Sequence, residues 1–238
     1  NVSFWTCIGS DQISDIIIKI LEKEKITTNR ILRLDAHTDE SVIIINNDGQ
    51  NYIVSSCHNA ESIDQDYVKL MFNSMKGGDA LLVQGNLKED VTRFCVKEAQ
   101  KKKIKVFLNA SPISFDYLEI LTHVETLIIN ESENKKLSKS KNIELGNKIL
   151  LDMGVSNVIT TKGDRGLIYS SRMNEFSFNA TKVDVVDTTG AGDVFCGTLV
   201  AYICIGNNYK DACLKSMNIA SLSVKKRGTY MSIPSKTA

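Results

Sequence analysis

Apolar residues at Ile13, Ile16, Ile17, Ile20 and Leu21 fall at i, i+3, i+4, i+7 and i+8, the spacing of one helix face, with Ser10 or Asp11 in front as a cap. Ahead of this helix, residues 2–7 are β-branched and aromatic and end in Gly9-Ser10-Asp11, which predicts a strand and a turn. Residues 41–46 and 51–55 predict two further strands, and Asn47-Asp48-Gly49-Gln50 between them predicts a hairpin. From residue 64 onward the period changes. Helices are predicted over 64–75, 89–102 and 141–153, and strands over 80–84, 105–109, 126–129 and 157–161. Strands and helices alternating at this spacing form parallel strands joined by crossover helices. Residues 167–170 and 175–178 predict a local antiparallel pair, and 183–186 a short buried strand before a glycine-rich turn. Two apolar helices follow over 191–205 and 210–224. With neither repeat nor linker, the pattern predicts one α/β domain with a small hairpin near its start.

Composition narrows the function classes. The chain has 238 residues, 42% hydrophobic and 24% charged, and 29 Lys+Arg against 28 Asp+Glu give a net charge of +1. A chain this long buries roughly 70% of its unfolded surface without needing disulfides or metal. The charge balance removes the main reason to expect nucleic acid or an anionic membrane as partner, and the runs Lys101-Lys102-Lys103 and Lys225-Lys226-Arg227 read as solvated faces. No apolar run approaches the ~18–20 residues of a membrane span. Six cysteines, at 7, 57, 95, 196, 204 and 213, are scattered without a C-x-x-C pair. They predict buried free thiols and a reducing, cytoplasmic location.

The most informative segment runs from Val183 through Asp187-Thr188-Thr189-Gly190-Ala191-Gly192-Asp193 to Gly197. A strand here enters a turn of small residues and a helix starts near Ala191. The free N–H groups and dipole of a helix start favour an anion, and glycines let backbone approach a phosphate closely. Three readings are open from the turn alone. A dinucleotide turn needs G-x-G-x-x-G, whereas glycines at 190, 192 and 197 have the wrong spacing, and Asp193 would repel a pyrophosphate. Phosphoryl transfer uses an anion hole plus an Asp that takes a hydroxyl proton. The third reading is a structural turn with Asp193 complementing the dipole.

Asp187-Thr-Thr-Gly-Ala-Gly-Asp-Val-Phe-Cys-Gly197 resembles the C-terminal signature of the PfkB carbohydrate kinase family. Asn130-Glu131-Ser132-Glu133 is similar to that family's N-x-x-E element, and Thr161-Lys162-Gly163-Asp164-Arg165-Gly166 to its T-x-G-x-x-G nucleotide turn. Arg227-Gly228-Thr229-Tyr230-Met231-Ser232-Ile233-Pro234 resembles the G-A-Q-x-S-I-P tail of the family's ribose kinases. Asp48-Gly49-Gln50-Asn51 through Asn59 resembles their D-G-E-N … G-A-N stretch. These segments run in family order over essentially the whole chain. The resemblance implies a three-layer αβα sandwich with a mainly parallel central sheet and a small β lid, the lid and first strands incomplete. It implies an ATP-dependent sugar kinase, with D-ribose the preferred acceptor and a lid-to-lid homodimer in the full-length form.

Residue by residue, the resemblance implies that Asp193 is the base acting on the sugar hydroxyl and that Gly190, Ala191 and Gly192 form the anion hole. Asn130, Thr161, Lys162, Gly163, Asp164, Arg165 and Gly166, with Gly192 and Asp193, would bind ATP. Glu133 would organise Mg²⁺ through water; by itself, Glu133 reads as a helix-start carboxylate, and Gly163 to Gly166 as a strand-to-strand turn. Asp187, Thr189, Ser223, Lys226, Gly228 and Ser232 would hold a monovalent cation, K⁺, mostly through backbone carbonyls. The adenine-side position falls on Met217, beside Asn218.

Departures concern the sugar. The ribose kinases carry Q-L-E where this chain has Gln84-Gly85-Asn86, so the acidic sugar contact becomes Asn86. The family's first strand, with a sugar-binding Asp, and its G-G-K-G-A-N segment have no counterpart before residue 2. The expectation is therefore a single kinase domain over 1–238 lacking its N-terminal segment, with residues 30–60 a partial lid, and less stable than a version extended upstream. Another sugar or nucleoside such as fructose or adenosine, or a catalytically inactive nucleotide-binding homologue, are the alternatives; a nicotinamide-dependent enzyme is disfavoured by the glycine spacing.

Overall fold

The computed structural model describes residues 2–45 and 51–235. The expected turn residues Asn47 to Gln50 lie outside the described residues. The chain divides into two compact units, Asn1–Met75 with Asn86–Cys95, and Lys76–Gly85 with Val96–Ala238.

In the first unit β1 (Thr6–Ile8) pairs in parallel with β2 (Ile31–Arg33), and α1 (Gln12–Lys23) forms the crossover. Asp11 is the α1 cap, accepting from Ser14 N–H at 2.9 Å. The same carboxylate accepts from the N–H and hydroxyl of Thr38 at 2.7 and 2.8 Å, which holds its pKa down at about 2. Gly9 is required beside it, because a Cβ there would stand 2.3 Å from the Ala36 carbonyl oxygen. The hairpin β3 (Ser41–Ile45) and β4 (Asn51–Ser55) forms with Ile45 opposite Asn51. Short α2 (His58–Glu61) and α3 (Gln65–Ser74) follow, the latter capped by Asp64.

The second unit contains a six-stranded sheet, ordered β10-β9-β8-β7-β6-β5. Its strands are β5 (Ala80–Gln84), β6 (Lys105–Asn109), β7 (Thr126–Asn130), β8 (Asn157–Thr161), β9 (Leu167–Ser171) and β10 (Glu175–Phe178). The four from β5 to β8 are parallel and the last two antiparallel. α4 (Glu89–Lys101) joins β5 to β6, and short α5 (Leu118–Leu121) precedes β7. α6 (Glu131–Ser138) and α7 (Ile143–Asp152) join β7 to β8, and α8 (Ala191–Cys204) and α9 (Tyr209–Ser223) follow β10 and precede the tail that holds a 3-10 turn at Tyr230–Ser232.

Side-chain alternation puts these helix pairs on opposite faces. Ile128, Ile159, Leu167 and Tyr169 pack with Phe195, Cys196 and Leu199 of α8 and Ala212, Cys213 and Met217 of α9. The intervening Thr160 and Ser170 bond instead to Asn134 and Asn147 of α6 and α7. Helices thus cover both faces of a mainly parallel sheet, as in a three-layer α/β sandwich. The near-continuous apolar runs of β6 and β7 follow from burial on both faces.

The short elements β2, α2 and α5 were not expected from the sequence, and two further departures bear on the site. Residues 183–186 form no strand. Val185 and Val186 are exposed, and the Val186 N–H donates to the Val224 carbonyl at the end of α9 at 2.8 Å. Apolar character there serves a strap along a helix end, not a sheet. α6 escapes the apolar periodicity because it is polar almost throughout; its signature is the capping box Asn130-x-x-Glu133. No helix among the described residues is long and apolar enough to cross a membrane. Four of the six cysteines, Cys7, Cys95, Cys196 and Cys213, are buried as free thiols.

The packing predicts a sharp contrast in stability. Leu199 on α8 is fully buried and Leu145 on α7 is half exposed. Urea unfolding should show Leu199→Ala costing about 2–5 kcal/mol and Leu145→Ala no more than about 0.5 kcal/mol; equal losses would contradict the described core.

Candidate active site

The carboxyl ends of β7 and β8 lie side by side, with Asn130 opposite Thr161 in the register. Ligands of open α/β sheets collect at this end. Asn130 Oδ1 accepts from the Glu133 N–H at 2.9 Å, and Glu133 Oε2 accepts from the Asn130 N–H at 2.8 Å. The pair therefore rigidifies the start of α6, and one Glu133 oxygen is committed to that cap.

After β8 the chain makes a single 3-10 turn, Gly163–Arg165, closed by Lys162 N–H donating to the Gly166 carbonyl at 2.7 Å. Two glycines are dictated by geometry. Gly163 has φ +58 with open space on its Cβ side, whereas Gly166 has φ +89 and a Cβ there would stand 1.9 Å from the Phe178 carbonyl oxygen. Gly166 is thus fixed by packing against the exit of β10, and Gly163 leaves the outer surface of the turn bare. Arg165 pairs with Glu131, tying this turn to the first residue of α6. Asp164 is exposed.

The turn into α8 is held by Asp187. Its Oδ1 accepts from the Thr189 N–H and its Oδ2 from the Gly228 N–H, each at 2.9 Å, and these two backbone bonds hold its carboxyl below the usual range. The Val186 and Asp187 N–H groups both donate to the Val224 carbonyl, at 2.8 and 3.1 Å. One carboxylate thereby joins residues 187–189 to 228, and one carbonyl joins them to the end of α9. Ser223 and Ser232 are buried beside this junction; Ser232 Oγ donates to the Thr229 carbonyl at 2.7 Å and Ser223 Oγ to the Ala220 carbonyl at 2.8 Å. Lys226 is exposed, and its N–H donates to the Ser223 carbonyl at 3.3 Å.

Gly190 caps α8 in the left-handed region, φ +81, and no side chain caps this helix end. Its Cβ position meets Thr229 at 3.5 Å, a residue whose place against the turn the sequence reading missed. The signal was its position directly after Gly228 in the tail motif. Gly192 has ordinary backbone geometry, and nothing lies within 4 Å of where its Cβ would be. A glycine in a helix costs up to about 1 kcal/mol relative to alanine, and no protein contact at Gly192 accounts for it. The Ala191 N–H donates to the Thr188 carbonyl at 3.2 Å, and the helix start beyond it opens onto free space at Gly192, where a helix N-terminus can accept an anion.

Asp193 sits in the first turn of α8. It is exposed at the surface yet crowded on its inner side, and the resulting desolvation pushes its carboxyl pKa up. Beneath it, burial and then the charges of Asp193 and Glu133 push the Cys196 thiol up to about 12. Both carboxylates thus act on one buried sulfur.

The structure brings together Asp187, Thr189, Gly190, Ser223, Gly228 and Ser232 around one turn, and aligns Asn130 with Thr161. Met217 belongs to the core, while Asn218 is exposed and accepts from the Thr181 hydroxyl at 3.2 Å. Asn86 is exposed and falls in the first unit.

These features set a glycine-rich, uncapped helix start and a desolvated carboxylate side by side. The chain matches the family model "pfkB family carbohydrate kinase" over residues 1–236. It is 27% identical to the ribokinase of Schizosaccharomyces pombe over 247 residues, covering 99% of this chain and 77% of that protein. The crystal structure of ribokinase from Thermotoga maritima superposes with a TM-score of 0.89 at 30% identity, over 100% of this chain and 79% of that one. The ribokinase of Cryptococcus neoformans, solved with ADP, gives 0.84 at 25% identity over 100% and 81%. The chain belongs to the PfkB family of carbohydrate kinases: it is a sugar kinase, a phosphotransferase acting on a hydroxyl group.

The Asp187 junction makes a pH-dependent prediction. A depressed carboxyl stabilises the fold above its unfolded pKa of about 3.9 and ceases to do so as pH falls through the folded value. Asp187→Asn should therefore lower Tm at pH 7, with the gap to the parent closing below about pH 4. A gap that persists undiminished into acid would contradict this role for the charge.

Proposed function

We propose that this kinase transfers the γ-phosphate of ATP to the 5-hydroxyl of D-ribose, giving D-ribose 5-phosphate and ADP. Residues 1–238 act in this reading as one kinase domain, with residues 30–60 a partial lid. The observation that carries it is the bare, glycine-lined start of α8 with a desolvated carboxylate in its first turn. The acceptor class is supported by the ribose kinases among the relatives and by the ribose-kinase-like tail at residues 227–234.

Asp193 takes the proton of the sugar hydroxyl, whose oxygen bonds to the γ-phosphorus while the bond to the β,γ-bridging oxygen breaks and ADP leaves. A raised carboxyl pKa makes Asp193 a stronger base than an ordinary aspartate. Backbone N–H groups at Gly190, Ala191 and Gly192 receive the charge that spreads over the phosphoryl oxygens, and since phosphoryl transfer asks for little covalent chemistry, positioning and charge stabilisation dominate. Asn130 and the bare outer surface of the 161–166 turn, with Lys162, Asp164 and Arg165, receive the nucleotide.

Mg²⁺ suits the Glu133 oxygen that is not committed to the cap, because a small hard cation keeps several waters and takes one carboxylate. When bound with ATP it neutralises phosphate charge. K⁺ fits the junction at Asp187, Thr189, Ser223, Lys226, Gly228 and Ser232, where carbonyls and hydroxyls outnumber carboxylates. Among the described residues no cluster of three or more His, Cys, Asp or Glu offers a different kind of metal site. The hairpin exposes Val42, Ile44, Ile53 and Val54, a surface suited to the lid-to-lid homodimer, and the free thiols suit the cytoplasm. Asn86, where the ribose kinases carry an acid, favours a second reading in which the acceptor is a different sugar or a nucleoside.

ADP release with ATP, Mg²⁺ and ribose, with and without K⁺, tests the proposal. Asp193→Asn should lose on the order of 10²–10⁴ in kcat. Its Tm at pH 7 should equal or exceed the parent's, because the ionised carboxyl is disfavoured in the fold. The parent's rate should fall in acid at a pH above the ordinary aspartate range near 4. Undiminished turnover by Asp193→Asn would contradict the mechanism.

A further inference from the structure

Behind the nucleotide-facing end of the sheet lies a closed polar triangle. Asn134 of α6, Asn147 of α7 and Thr160 of β8 are each at most 1% exposed. Asn134 Nδ2 donates to Asn147 Oδ1 at 2.7 Å and to Thr160 Oγ1 at 2.9 Å, and Thr160 Oγ1 donates to Asn147 Oδ1 at 2.7 Å. Two buried serines complete it: Ser138 Oγ donates to Asn134 Oδ1 at 3.3 Å, and Asn147 Nδ2 donates to Ser170 Oγ at 3.0 Å. No polar atom of the five side chains is left buried without a partner.

The neighbouring helix is thinned to admit this cluster. A Cβ at Gly146 would stand 2.0 Å from Asn134 Oδ1, so α7 carries in its interior the least favourable helix residue after proline. Hydrophobic side chains of similar volume at buried polar positions are often neutral or stabilising, so stability alone does not account for a set of amides and hydroxyls there. What a fully satisfied polar network adds is direction: its bonds hold at one geometry and fail after a shift of about 1 Å.

Its members stand next to the site. Asn134 follows Glu133, one half of the Asn130–Glu133 cap, and Thr160 precedes Thr161, where the nucleotide turn begins. The triangle is thus a direct side-chain tie between α6 and β8. The outer Arg165–Glu131 pair is exposed and by itself holds little.

We propose that Asn134, Asn147 and Thr160 are positioning residues that fix the Asn130–Glu133 cap against the 161–166 turn, and so set nucleotide affinity without touching the nucleotide. This rests on the reading of that cleft as the nucleotide site. Two near-isosteric changes at one buried position test it. Thr160→Val removes the hydroxyl that both accepts and donates, whereas Thr160→Ser keeps it. Calorimetric titration of the whole chain with Mg·ADP should show Thr160→Val at least 5-fold weaker than the parent and Thr160→Ser within 2-fold, both retaining a cooperative melt. Amide hydrogen exchange should show faster opening in Thr160→Val confined to residues 131–134 and 161–166. A Thr160→Val variant that binds Mg·ADP like the parent, whatever its Tm, would overturn the inference alone. A parent that binds no Mg·ADP would overturn the nucleotide-site reading and the inference with it.

Discussion

The Asp187 carboxylate receives backbone N–H groups from Thr189 on one oxygen and from Gly228 on the other, and through them it shapes the start of α8. A glycine-rich turn has many accessible conformations, and fixing it costs more entropy than fixing any other segment of equal length. Two charge-assisted bonds offset that cost. The Val224 carbonyl adds two bonds from the other side, so the turn is tied to the end of α9 and to the tail before α8 begins. Gly190 can then adopt its left-handed conformation against Thr229, and the helix start is left uncapped and open. The uncapped start of α8 and the gathering of residues 187–189, 224 and 228 are two consequences of one knot in the backbone.

A helix start left without a side-chain cap carries unsatisfied donors, and a carboxylate held where it is desolvated costs free energy. Neither is the choice of a segment selected for stability. Asp193 has its carboxyl pushed up by desolvation, Gly192 faces open space, and the charges of Asp193 and Glu133 add to the burial that raises the Cys196 thiol. These unfavourable features are gathered in one place and the surrounding structure is apolar and well packed, with Phe107, Leu127, Ile159 and Leu199 fully buried. Local cost concentrated in one place is the physical signature of a functional site.

Much of this was legible in the residues. The parallel β5 to β8, the α8–α9 pair and the α1 cap followed from hydrophobic period and capping residues, because those elements are amphipathic or buried in regular ways. α6 was not, since it carries almost no apolar stripe and is specified by its capping box and by the buried amide of Asn134. The strap at 183–186 misled, because its valines look like a sheet strand until the Val224 carbonyl is seen to take its N–H groups. Among site residues, the Gly190 to Asp193 turn stands out in sequence, whereas Thr229 and the triangle behind the sheet depend on contacts between segments far apart in the chain. Gly163 and Gly166 show the same divide: both read as turn glycines, and only the fold separates the one that leaves a surface bare from the one wedged against Phe178.

In the proposed mechanism the start of α8 is shaped for a phosphoryl group at the expense of the helix. Gly192→Ala tests it most directly, because its two effects have opposite signs. Alanine is the better helix residue and its Cβ meets nothing beyond its own helix, so stability should be unchanged or raised, by up to about 1 kcal/mol. The same methyl group enters the anion hole, and phosphoryl transfer should fall on the order of 10²-fold. A Gly192→Ala protein that is as stable as the parent and transfers phosphate at the parent's rate would contradict the claim.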